Sequence, residues 1–388
     1  MLDRIFDEYG LIICGWSGEW DHALRGAFLR APNRRYPVYW AVRSKITASA
    51  QDLVDHRRAR VVPIVDADTF FRGLRDRIET LAQSLEKNPI STELLVNTTK
   101  RYLTSRDYRI RLDELVEQET EHLVGHIDST EFAPDRPWDQ MVFRKRVQNY
   151  ESLSEPLARM IGVLGRWGGD SEMPLVLDVV RSLHRNAEKR TAGLNLYVYI
   201  RSYPAVLIFT AYALGLTRAR RWMSLHRLFS ASVDRNYKEP KRVIETLFLW
   251  NWIDDNVWKQ VQGREAARTP LSDHLCDIFT IWGSSFAALT PDFEQMFEMY
   301  EVLGSLTHLE NTSKADIQET LKNPQDFAYV PVGRAGWHTE NVDKILAEIQ
   351  KDPMRSELIK ADFAAGDREY LDVIVANFSR VVRRMRFR

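Results

Sequence analysis

Residues 11–21 read LIICGWSGEWD. The unbroken apolar run Leu11–Cys14 stops at Gly15, and Ser17, Gly18, Glu19 and Asp21 follow. Four apolar residues without alternation form the pattern of a strand buried on both faces. A glycine-rich turn at the carboxyl end of such a strand is where doubly wound sheets place their ligands. Gly15 and Gly18 let the backbone approach a ligand or take positive φ. Ser17 adds a hydroxyl that donates or accepts. The next helix begins near Asp21 and His22, where free N–H groups favour an anion.

The pattern repeats on either side of this stretch. LDRIFDEY has helical spacing, and DHALRGAFLR places Ala23, Leu24, Ala27 and Phe28 on one helical face. YPVYWAVR reads as a second strand, ITASAQDLVDHRRA as a helix and RVVPIV as a third strand. DADTFFRGLRDRIETLAQ is then a helix that Asp66 or Asp68 can cap. Strands alternating with helices predict a parallel sheet with covering helices. After Gln83 the strand signals stop. Breakers at 133–137, 165–170 and 237–240, and a long loop at 323–336, separate amphipathic helices such as RVIETLFLWNWIDDNVW. The expected fold is a partial α/β, Rossmann-like parallel sheet of three strands over residues 1–83. An all-α region fills 84–388, with a subdivision near 135 or 235, so the chain is mostly α.

Bulk properties narrow the function. The 388 residues carry 54 Lys+Arg and 54 Asp+Glu, so there is no global charge to draw a polyanion. Cys14 and Cys276 make neither a metal pattern nor a disulfide framework. No charged start leads into an apolar signal core. The most apolar stretch, Pro204–Leu216, falls short of the ~20 residues a membrane span needs and reads as a buried core helix. The expectations are a cytoplasmic chain with no membrane or nucleic-acid partner.

Three motifs occur in order: GLIICGWSGEWDHALR, RRYPVYWAVR and RARVVPIVDADTFFRGL. Together they resemble the last half of a bacterial sirtuin-like NAD-binding domain, over residues 1–83. The helical remainder also resembles proteins of this group, many of which act in anti-phage defence by consuming NAD. The resemblance implies that Gly15 and Ser17 touch the ribose or phosphates of NAD. Val42 and Arg43 would lie by the adenosine ribose, where many sirtuins carry an asparagine that this chain lacks. Asp66–Asp68 would lie near the adenine edge. With Gly18 from the turn, the cofactor-binding set is Gly15, Ser17, Gly18, Arg43 and Asp66.

The family's domain opens with a strand, a Gly-Ala-Gly phosphate loop and, before the matching segment, a catalytic histidine. None has a counterpart here, so no catalytic residue is assigned. The expectation is the C-terminal portion of an NAD hydrolase, inactive as this chain alone, with NAD bound weakly or not at all. An internal start, a cut gene or a partner chain (in a homo-oligomer or otherwise) would account for the missing half, and GLIICGWS would then keep an open apolar edge. The alternative is a helical sensor or interaction protein with a remnant α/β cap.

Other motifs read as structure. His122 and His126 lie four apart but lack the intervening glutamate of a zinc helix, and acids surround them, so no metal site is assigned. Gly-Trp-Ser-Gly misses a nucleophile elbow by one position, at Glu19. Arg380, Arg383, Arg384, Arg386 and Arg388 suit a helix C-terminus, and Arg218–Trp222 reads as a helix end. Two cysteines cannot supply the four-cysteine zinc module of a protein deacetylase.

Overall fold

The computed structural model describes residues 2, 5–6, 9–31, 36–75, 89–190, 192–235, 238–287 and 292–386. The chain divides into two compact units, Met1–Asn88 and Pro89–Arg388.

The first unit carries β1 (Leu11–Cys14), α1 (His22–Arg30), β2 (Val38–Val42), α2 (Ala48–Arg57) and β3 (Arg60–Pro63). Residues 67–75 are helical. The strands are parallel in the order β1-β2-β3, with Leu11 opposite Val38 and Tyr39 opposite Arg60. Phe6, Phe28, Trp40, Leu53 and Val54 form the core. Phe28 stands edge-on to both Phe6 and Trp40. Arg57, itself buried, ties the helical layer to the chain start by donating to the carbonyls of Ala31 (3.1 Å) and Phe6 (2.7 Å).

Burial corrects one expectation. Only the central strand β2 is enclosed as a two-sided strand should be. β1 and β3 lie at the two edges, and Ile12 and Val61 are 44% and 45% exposed. In β1 only Leu11 and Ile13 pack, half-buried, against the core, and in β3 only Val62 is half-buried, so their apolar runs reflect β propensity, which composition alone cannot separate from full burial. Of the helix expected over LDRIFDEY, residues 2, 5–6 and 9 are described; 2 and 5–6 are helical and Tyr9 is a bend. The part of the following helix beyond residue 75 lies outside the described residues.

The second unit is helical around one hydrophobic cluster that runs from Val96 to Val382, unbroken at 135 and 235. Its centre is two helices, α3 (Gln140–Trp167) and α4 (Tyr203–Arg218). Every residue from Tyr203 to Thr217 is buried, as the apolar run predicts, and Pro204 sits in the first turn. Among the described residues no helix is long and apolar enough to cross a membrane.

These two helices approach through glycines. A Cβ on Gly165 would lie 2.6 Å from the carbonyl oxygen of Tyr212 and 3.1 Å from Cα of Gly215. One on Gly215 would run into the carbonyl of Gly162. The backbones meet at a distance that excludes any side chain, so the crossing is written in Gly165 and Gly215.

Two elements differ from the sequence reading. A small antiparallel ribbon, β4 (Ser232–Arg235) and β5 (Lys238–Arg242), lies inside the helical region. KEPKR has no apolar alternation to announce it, and its Pro240 is tolerated because a two-stranded ribbon has only edges. The segment expected as one helix over RVIETLFLWNWIDDNVW breaks up. Val243–Thr246 is a single turn, and Leu249–Asn251 and Asp255–Gln260 are 3₁₀ turns. Leu249 takes φ of +47°, and Asp254 caps the next turn by accepting from Asn256 N. Burial of aromatic rings overrides helix propensity here: Trp252 stacks on Tyr203 at 5.8 Å, and Trp258 is fully buried beside it.

The arginines kept as structural do bind the fold. Arg380 donates to the carbonyls of Leu321, Asn323 and Asp326. Arg221 donates to the Gly168 carbonyl at 2.7 Å and to Asp170 at 3.1 Å.

The glycine crossing makes a stability prediction. Gly165→Ala and Gly215→Ala should each cost about 1–3 kcal/mol or more, as overpacking does. Gly125→Ala, in an exposed helix with nothing within 4 Å of the new methyl, should gain about 0.5–1 kcal/mol. Urea unfolding midpoints of the three variants measure this. Equal effects at all three sites would remove the special role of the crossing.

Candidate functional site

A cleft of about 380 Å³ opens at the carboxyl ends of the three parallel strands. Gly15 ends β1 with φ of +76° and has nothing within 4 Å of where a Cβ would stand. That combination leaves open space against bare backbone. Trp16 folds back over the sheet, stacks on Trp40 at 5.5 Å and donates its indole N–H to the carbonyl of Trp20 at 3.1 Å. Ser17 accepts from Glu19 N at 3.3 Å. Its carbonyl accepts from Thr47 Oγ1 at 2.6 Å, which pins the β1–α1 turn to the start of α2.

Thr47 is also the N-cap of α2 and accepts from Ala50 N at 3.1 Å. The helix N-terminus at the cleft is therefore that of α2, with Ile46, Thr47 and Ala50 in the lining. The expected one, at Asp21 and His22, is not. Asp21 caps α1 with its own carboxylate, accepting from Leu24 N at 3.0 Å, and this fills the place an anion would take. Arg43, Ser44 and Lys45, all exposed, follow β2 along the rim. Two cations, a capped helix start and an open glycine turn make an anion-accepting edge beside an aromatic wall.

Of the five residues expected to meet a cofactor, Gly15, Ser17 and Arg43 line this cleft. Gly18 and Asp66 stand behind it. Gly18, with φ of +73°, lies against the α2 backbone, where a Cβ would come within 3.1 Å of Ala50 Cα. Its carbonyl accepts from Arg25 at 3.1 Å. Asp66 caps the helix over 67–75, its two oxygens accepting from Thr69 N (2.7 Å) and Thr69 Oγ1 (2.9 Å). These bonds from Thr69, with Arg43 also near, hold its carboxyl below the usual range. Sequence reasoning missed Lys45 and Thr47. The capping pattern Thr47-x-x-Ala50 ahead of a helix was the available signal for Thr47.

A second polar cluster lies in the helical unit. Glu294, Glu298 and Glu301 occupy one face of α5 (Phe293–Leu309), and the loop ending in Arg334 and His338 covers them. Glu298 is fully buried and receives Arg334 Nε at 3.3 Å and His338 Nδ1 at 2.5 Å. Arg334 also reaches Glu294 at 2.7 Å. Glu294, Glu298 and His338 bring three ligand atoms within 4.8 Å of one another. The guanidinium already bonds both carboxylates, so a metal would have to displace it. Glu301, also buried, accepts from Ser272 Oγ and from Ala335 N at 3.2 Å. Burial pushes its carboxyl up to about 8. This cluster staples the 327–338 loop to the helical core.

His122 and His126 do share a face, with ring centroids 4.4 Å apart, and His126 Nδ1 is 2.8 Å from the His122 carbonyl. No family model matches the chain, and neither the curated proteins nor the solved structures yield a match.

The buried Glu301 predicts a pH dependence. Its folded-state affinity for a proton is raised, so its contribution is fully present below about pH 4.5 and is lost as pH rises through about 8. Between these limits the folded state holds one more proton than the unfolded state, so stability falls with rising pH. In Glu301→Gln that part of the slope should vanish. Urea midpoints of the two proteins across this window test it, and parallel curves would show that Glu301 is not protonated in the fold.

Proposed function

We propose that the cleft at the carboxyl ends of β1, β2 and β3 takes the phosphate-bearing part of NAD or ADP-ribose, as a sirtuin-like unit in a protein whose defence role consumes NAD. The observation that carries this reading is the open left-handed turn at Gly15, facing Ser17, Arg43 and Lys45 across a cleft of dinucleotide-fragment size. The backbone at Gly15 can approach a phosphate because no side chain intervenes. Arg43 and Lys45 supply the countercharge, and the start of α2, whose Ala50 N–H is taken by the uncharged Thr47 hydroxyl, adds the positive end of its helix dipole. The Trp16–Trp40 wall gives an apolar side for a ribose or base. Glycosidic cleavage of NAD separates nicotinamide from ADP-ribose. In the family a histidine assists that step, and no histidine is among the described residues that line this cleft. The proposal is binding without turnover by this chain alone. A second reading, the helical unit as an interaction module, is favoured by the basic, aromatic surface at residues 100–111.

Titration calorimetry with ADP-ribose should show binding that Arg43→Ala and Lys45→Ala each weaken by about five- to thirtyfold, as expected when a charged hydrogen bond worth roughly 1–2 kcal/mol is lost. Gly15→Val should abolish it while Gly26→Ala does not. A nicotinamide-release assay with NAD should stay at background. No heat at millimolar ADP-ribose would remove the binding proposal, and steady nicotinamide release would remove the claim of inactivity.

A further inference from the structure

Residues 100–111 read KRYLTSRDYRIR and hold five cations against one acid, Asp107, in a chain of zero formal net charge. They end one helix, Pro89–Tyr102, form a 3₁₀ turn and begin another, Arg109–Ile127. The C-terminus of α3 lies alongside and adds Arg166 and Trp167. Cations and rings alternate across this surface. Arg101 and Arg111 stand 6.0 and 5.8 Å from the centre of the Tyr108 ring. Tyr108 stacks on Tyr102 at 5.5 Å. Lys100 and Arg166 stand 5.2 and 5.8 Å from the centre of Trp167, which is 51% exposed.

Between the two aromatic groups lies a cleft of about 540 Å³ edged by Arg106, Arg109, Ser105, Ser171 and the Gly168–Gly169 backbone. Glu172 lines the cleft, and Asp107 and Asp170 lie beside it; all three are engaged locally, and the exposed Asp113 and Glu114 follow further along the helix Arg109–Ile127. Glu172 accepts from Gly169 N and from Ser171 Oγ, the latter at 2.6 Å. Asp170 accepts from Arg221 and Ser224, and Asp107 from Ser105 Oγ. The cations of the band thus outnumber the acids that face them.

We propose that this band binds a single strand of nucleic acid, its phosphates along Lys100, Arg101, Arg106, Arg109, Arg111 and Arg166 and an unpaired base on Trp167. A single phosphate does not account for six cations spread over four structural elements. A backbone with a charge at every nucleotide does. An exposed indole flanked by cations, beside a positively charged groove, is the combination that single-strand binding uses. The neutral net charge argues against a protein that coats nucleic acid over its whole surface, and a local band is compatible with it. The proposal is independent of the cleft in the first unit.

The test is fluorescence anisotropy of a labelled oligothymidylate of about 16 nucleotides, within the range of single-strand site sizes, with the full chain. The affinity should fall with salt at a log–log slope of about −2 to −4, as roughly three to six phosphate contacts give. The double variant Arg106→Glu, Arg109→Glu should weaken binding by at least about tenfold and reduce the slope. Trp167→Ala should weaken it by about five- to a hundredfold, the loss of one stacked base. Arg383→Glu, an exposed cation on the C-terminal helix, should leave it unchanged, and a thermal melt should show all variants folded. Binding that ignores salt, variants that bind like the parent, a duplex bound as tightly as the strand, or a mononucleotide that competes at equal concentration would each overturn the proposal.

Discussion

The helical unit hangs on a backbone-to-backbone contact. Where α3 and α4 cross, Gly165 and Gly215 remove the side chains that would hold the helices apart, while the bare Gly162 makes room for the Phe286 ring. α4 can then be enclosed from Tyr203 to Thr217, and the remaining helices pack around that pair. The consequence reaches the surface. Gly165, Trp167 and Gly168 belong to the same few residues, so the crossing that fixes the core also fixes where α3 ends. Arg221 closes that end by donating to the carbonyls of Gly165 and Gly168. Trp167 and Arg166 are thereby held at the margin of the basic band.

The first unit solves a different problem with less material. Three short parallel strands leave two edges, and only β2 is enclosed. Its core is accordingly aromatic, with Phe6, Phe28, Trp16 and Trp40 in mutual contact. These rings serve twice. They sit at the centre of a small core, and Trp16 over Trp40 forms the apolar wall of the cleft. Gly18 lets α2 lie close to the β1–α1 turn, and Thr47 ties the two together. Packing and the candidate site are built from the same residues.

Much of this was legible in the sequence. Unbroken apolar runs closed by Gly15 and by Arg43–Ser44 placed β1 and β2, and the all-apolar Pro204–Leu216 stretch placed α4. Gly15, Ser17 and Arg43 were brought to one cleft. What was not legible has physical reasons. Exposure of β3 depends on what lies beside it, which a four-residue run does not encode. Asp66 could be read both as a helix cap and as a ligand contact, and which of Asp66 and Asp68 caps is decided by Thr69, which bonds both Asp66 oxygens. The break in RVIETLFLWNWIDDNVW comes from stacking of Trp252 on Tyr203, almost fifty residues earlier, which overrides local helical spacing. KRYLTSRDYRIR was in plain view, but a zero net charge averages such a band away. Only the fold adds Arg166 and Trp167 to it.

The central claim is that the Gly15 turn and the β2–α2 loop together receive a dinucleotide. Hydrogen–deuterium exchange with and without saturating ADP-ribose locates such an event directly. The account predicts slowed exchange confined to the peptides covering residues 15–18 and 43–50, with the edge strand β3 unchanged. Protection elsewhere, or none at either segment under conditions where the ligand is bound, would contradict it.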